Sequence, residues 1–135
     1  MIATDDKLLT LLEPLPGQLR EAEERFIALS PVAFDKATLR HLTDAGIITP
    51  VSISQGGITQ YMIWFQLTQD RGMHVNCAVQ IAAQPERDLL FAGVETIARN
   101  HGCKYVLFHT RRPGLMEAAK DYGYSAQSIS MVKTL

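Results

Sequence analysis

Residues 91–124 read FAGVETIARNHGCKYVLFHTRRPGLMEAAKDYGY, and the order of periods within this stretch decides the fold. Leu90, Val94, Ile97 and Ala98 recur at helical spacing, which predicts a helix over 86–101 with one apolar stripe. Gly93 lies on that stripe and allows close approach to a sheet, and Gly102 is placed to end the helix. KYVLFHT, 104–110, then reads as a buried strand. PGLMEAAKDYG, 113–123, is a short helix that Pro113 starts and Gly123 stops. A strand, a helical crossover and a second strand make a right-handed parallel unit.

The strand that feeds this unit is MHVNCAVQIA, 73–82. Its alternation puts Met73, Val75, Cys77, Val79 and Ile81 on one face, and His74, Asn76, Ala78 and Gln80 on the other. Two more strands precede it, 47–54 and 58–68, joined by turns at Gln55-Gly56-Gly57 and Asp70-Arg71-Gly72 into an antiparallel meander. In the second of them Tyr61, Ile63 and Phe65 share one face and Met62 and Trp64 the other. The first 46 residues read as helices over 5–13, 17–29 and 36–45. Asp35 is the cap of the third, with Phe34 and Leu39 at the staple positions. Glu21, Glu23 and Glu24 read as a solvated helix face. Downstream, 124–134 reads as a last strand. Ser128 and Ser130 there alternate with Ile129 and Met131, as in an exposed edge able to pair with another chain. The expectation is one α/β domain over 1–135: a helical part to residue 46, then a mixed, mostly antiparallel sheet with helices on both faces, a three-layer αβα arrangement.

Composition narrows the function classes. Apolar residues make up 47% of the 135, enough for a packed core. A net charge of −1 argues against nucleic acid as the main partner. Cys77 and Cys103 form no C-x-x-C pair, which points to packing roles and a reducing, intracellular setting. The acidic, proline-interrupted N-terminus does not read as a signal peptide, and no apolar run reaches the length of a membrane span. His74, His101 and His109 lack the spacing of metal ligands, so no metal is expected.

The run Ala98-Arg99-x-x-Gly102-Cys103-Lys104, the apolar strand after it, the short helix and the closing Gly123-Tyr124 resemble the C-terminal half of the GNAT superfamily of N-acetyltransferases. The resemblance spans 73–134, with 47–72 fitting as the preceding hairpin. The helical first third departs from the strand and two helices with which that family begins. The resemblance implies strands 73–82 and 104–110 that splay apart, and acetyl-CoA as cofactor. Its pantetheine would pair with the exposed strand edge. Its pyrophosphate would rest on backbone N–H groups at the next helix start, in a loop of form [RQ]-x-x-G-x-[GA]. That loop falls on Ala82 to Arg87, where Ala82 takes the first position and Pro85 and Arg87 take the two glycine positions. A shifted register uses Gln84 instead, and no register supplies a glycine. The cofactor-contact positions so implied are Gln80, Ile81, Ala82, Gln84, Arg87 and Asp88, joined by Arg111 and Arg112 as an anion site ahead of the last helix. The family's tyrosine acid falls on Ala119, with Tyr122 nearby, and its asparagine falls on Arg112. His74 is the titratable non-thiol group of its strand, and His109 closes a strand at the end where α/β sheets bind ligands; these two are the candidates for proton transfer.

Thr110-Arg111-Arg112-Pro113-Gly114 resembles divergent phage-encoded members, which implies a virion assembly as a second setting. With the loop glycines and the tyrosine both missing, the leading expectation is a non-catalytic or repurposed binding or assembly module, with protein partners or self-association. The alternative is an active acyl-CoA-dependent N-acetyltransferase with an atypical pyrophosphate grip.

Overall fold

A computed structural model describes residues 9–29, 36–83, 85–109, 113–126, 131 and 133–135. The elements are β1 (Leu9–Leu12), α1 (Pro16–Leu29), α2 (Lys36–Asp44), β2 (Thr49–Gln55), β3 (Ile58–Leu67), β4 (Gly72–Gln80), α3 (Arg87–Asn100), β5 (Tyr105–Phe108) and α4 (Pro113–Lys120). One five-stranded sheet runs in the order β1-β2-β3-β4-β5. Its first three pairings are antiparallel and β4–β5 is parallel.

Within the stretch 5–13, where a helix was expected, Leu9–Leu12 form a strand, and 5–8 lie outside the described residues. Pro14 and Pro16 leave too short a run to stabilise an isolated helix. The edge of β2 offers a ladder instead: Leu9 pairs with Gln55 and Leu12 with Ser52, whose hydroxyl donates to the Leu12 carbonyl at 3.1 Å. With β1 in place, a strand and two helices lead into the sheet, and the departure from the family's usual start disappears. Helix α1 begins on Pro16, and the Gln18 side chain reaches back to accept from the Leu15 N–H at 3.1 Å, half of a capping box. The Phe34–Asp35 cap and staple expected for α2 lie outside the described residues. Gly46 (φ 73°) ends that helix, its neighbour Ile47 donating to Leu42 O.

Two cores sandwich the sheet. Ala22 of α1 and Leu39 of α2 pack with Met62, Trp64, Cys77 and Val79 on one face. Leu89, Val94, Ile97 and Ala98 of α3 pack with Ile53, Tyr61, Ile63 and Phe65 on the other, which gives the three-layer arrangement. Gly93 provides the close approach expected of it, since a Cβ there would fall 2.7 Å from Ile53 Cδ1. Gly72 is as constrained, because the Tyr105 ring lies over it and a Cβ would fall 2.1 Å from Cζ.

Four further readings of the sequence need correction. Strand β4 does not keep one apolar face. Trp64 pairs with Cys77 but Phe65 with Val75, so Asn76 is an extra residue, a β-bulge. The bulge turns Met73 and Val75 to the α3 core and Cys77 and Val79 to the α1/α2 core. Glu23 is not on a solvated face: it is 1% exposed, and Arg40 donates to both its oxygens at 3.1 and 3.2 Å, tying α1 to α2. Strand β5 is half-buried, with Tyr105 exposed, because among the described residues it is the sheet's edge. Of the last strand expected over 124–134, residues 124–126, 131, 133 and 134 are not in a strand; 127–130 and 132 lie outside the described residues.

Candidate cofactor cleft between the parallel strands

Strands β4 and β5 share only four pairs, Gly72–Val75 against Tyr105–Phe108. Beyond Val75, β4 continues for five residues to Gln80 with no strand beside it on that edge among the described residues. The ladder stops where β5 ends, at Phe108, and the bulge at Asn76 sits at that point, where β4 runs on alone. The Asn76 Oδ1 is buried there without a hydrogen-bond partner.

His74 on β4 and His109, the residue just past β5, flank the start of the gap, with ring centroids 5.3 Å apart in an edge-to-face contact. Burial, and then the neighbouring His109, hold the His74 imidazole below its ordinary pKa, so it stays neutral near pH 7. The structure thus brings the two histidine candidates together. It does not bring them to the loop: Gln80 lies six residues along β4 from His74, roughly 20 Å in extended chain.

The loop end of β4 is closed on itself. The Gln80 side chain donates to Ala82 O and Ala83 O, both at 3.1 Å. The Ile81 and Ala82 amides turn to Gln60 O on β3. The Arg25 guanidinium, from α1, donates to Gln80 O at 3.2 Å and Ile81 O at 2.9 Å. Arg25 escaped the sequence reading, for its partner is a strand 55 residues away. Glu86 is the N-cap residue of α3 and gives no side-chain cap; Arg87 and Asp88 follow in the first turn, all three exposed. Helix-start amides attract an anion, but Glu86 and Asp88 already place two carboxylates there against one arginine. Pro85 has no N–H to add. Arg87 lies close enough to the Tyr61 phenol to oppose the upward push of burial on it. Gln84, Arg111 and Arg112 lie outside the described residues. Among the described residues, the start of α3 offers a diphosphate no glycine, and two carboxylates against one arginine.

Ala119, at the position of the family's tyrosine, is buried. Tyr122 is stacked on Phe91 of α3 at 4.3 Å. Tyr124, expected in the last strand, is not in one. Its ring packs edge-on against Phe108 at 5.1 Å, where β5 leaves β4, and burial followed by Glu95 pushes its phenol up to about 12. Cys77 is buried and its thiol is likewise pushed up to about 12, which leaves it a packing residue. Among the described residues no group of side chains could hold a metal ion. No described helix is long and apolar enough to cross a membrane.

Solved structures share this arrangement. An acetyltransferase from Trypanosoma brucei superposes with a TM-score of 0.65 at 16% identity, covering 94% of this chain and 99% of that one. The chain has the GNAT fold. A transcriptional regulator from Bacillus halodurans matches this GNAT-fold chain with a TM-score of 0.69 at 13% identity, covering 94% and 99%. A GNAT family acetyltransferase from Brucella melitensis, solved with acetyl-CoA, matches at 0.60 and 14% identity, over 87% and 83%. No family model matches the sequence, and no curated protein matches it.

Proposed function

We propose that this GNAT-fold protein is a repurposed, non-catalytic member, a binding or assembly module for a protein partner that does not take up acyl-CoA in the fold's ordinary way. The observation that carries the reading is the start of α3: Pro85, then Glu86, Arg87 and Asp88, with two carboxylates at the helix end that would receive a pyrophosphate. The Gln80 and Ile81 carbonyls, held by Arg25, support it. The phage-type character suggested by Thr110–Gly114, and a place in a virion assembly, rest on sequence alone. Acetyl-CoA titrated calorimetrically, with melting followed in parallel, tests the proposal. The expected result is no saturable heat and no shift in Tm. A micromolar site held at a hundredfold excess over its Kd would add about 2.7 kcal/mol, and that stabilisation would overturn it.

A second reading, an active N-acyltransferase, is favoured by the open edge of β4 and by the neutral His74 beside His109. It assigns the anion grip to Arg87, Arg111 or Arg112 and proton transfer to His74 or His109. Under it, Arg112→Ala weakens acetyl-CoA binding.

A further inference from the structure

Over Asn76–Gln80 one edge of β4 has no strand beside it among the described residues. Which backbone groups face that side follows from the alternation of a strand. The Ile81 N–H turns to Gln60 O on β3, so Val79 also faces β3, and the N–H and C=O of Ala78 and Gln80 face the gap. The Arg25 contact agrees, since Gln80 O is open to a side chain from α1 rather than held by β3. With that carbonyl taken, the Ala78 N–H and C=O and the Gln80 N–H remain on offer among the described residues. Ala78 and Gln80 are also exposed, whereas Cys77 and Val79 between and beside them are buried. Ala78 carries only a methyl group, which leaves room for a second backbone at ladder distance. Donors and acceptors at strand pitch on an open edge are a template for an extended chain.

We propose that this edge takes up an extended peptide of a protein partner as an added strand, with a lysine or arginine at the end nearest the start of α3. The charges there select the occupant. Glu86 and Asp88 are exposed and have no ion pair among the described residues, while Arg87 lies towards the Tyr61 phenol. Two free carboxylates repel a diphosphate tail and attract a basic side chain. The open segment is short, roughly 17 Å for its five residues, and Arg25 closes it at Gln80. The Asn76 Oδ1, buried and without a partner, is a further acceptor where the β5 ladder stops. This added strand rests on the reading of the protein as a module for a protein partner, and it names how that partner is held.

A displayed library of random dodecapeptides, selected on the immobilised full chain, tests the assignment. Selected sequences should carry Lys or Arg towards one end, and synthetic copies should bind saturably in fluorescence anisotropy. Methylating the peptide nitrogens of alternate residues should weaken binding about tenfold in one parity, where the N–H groups face β4, and little in the other. Hydrogen exchange of the Ala78 and Gln80 amides should slow in the complex. Glu86→Lys/Asp88→Lys, at exposed positions, should weaken binding several-fold with unchanged circular dichroism. A library that yields no saturable binder overturns the proposal. So does a bound peptide that leaves exchange at Ala78 and Gln80 unchanged, that tolerates methylation in both parities, or that binds Glu86→Lys/Asp88→Lys as tightly as wild type. Acetyl-CoA titrated into the same samples separates the two failures. Saturable heat from acetyl-CoA overturns the reading beneath the added strand; silence from acetyl-CoA and from every peptide overturns the added strand alone.

Discussion

His74 occupies the third of the four positions at which β4 and β5 still share a ladder, and its ring meets that of His109, the residue just past the end of β5. Burial and the second imidazole both oppose its protonation, so its folded pKa lies below the ordinary value of 6.5. The sign follows from linkage. Above that value His74 is neutral in both states and contributes no pH dependence. As pH falls through it the unfolded chain binds the proton first, and stability drops until the folded pKa is passed. Wild type should therefore lose Tm between about pH 7 and 5 more steeply than His74→Gln. Equal slopes in the two proteins would place the titration on another group. Asp70 acts in a separate window. Hydrogen bonds from Thr68 and then Tyr105 lower its pKa, so its contribution is present above the ordinary carboxylate value and disappears only in stronger acid.

Among elements, the pair α1 and α2 is held by an ion pair with unequal members. Glu23 is wholly enclosed, whereas the Arg40 side chain is 41% exposed. Arg40→Ala strands a buried carboxylate. Glu23→Gln leaves an amide in the same space and an arginine able to turn to water. The loss of stability in Arg40→Ala should be roughly two to three times that in Glu23→Gln, read from urea unfolding. Equal losses would mean that the carboxylate reaches water without its partner. This pair shows why some elements were legible in the sequence and others were not. Helices 17–29, 36–45 and 86–101 and the meander follow from local period, and the structure has them within a few residues. Glu23 sits between Glu21 and Glu24 in a run that looks solvated, and only a residue 17 positions later turns it inward. β1 is written like a short helix and becomes a strand because β2 leaves an edge. The bulge at Asn76 changes no local pattern, yet it exchanges the faces of β4. The site was legible to the same depth. The ill-suited loop is visible as Pro85 and Arg87, while Arg25, Asn76 and Tyr124 reach the cleft only through tertiary contacts.

At the scale of the molecule, α3 runs the length of the sheet: its first turn lies at the loop end of β4 and its last turn leads into β5. Fourteen residues of helix place the two turns roughly 20 Å apart. The Pro85→Gly/Arg87→Gly/Asp88→Asn variant returns two glycines to the loop and removes one carboxylate from the helix start. If these residues are what excludes a diphosphate, the variant should bind acetyl-CoA at least about tenfold more tightly than wild type, about 1.4 kcal/mol. A variant that binds no better than wild type would move the obstruction deeper into the cleft, to the Phe91–Tyr122 stack that joins α3 to the residues just after α4.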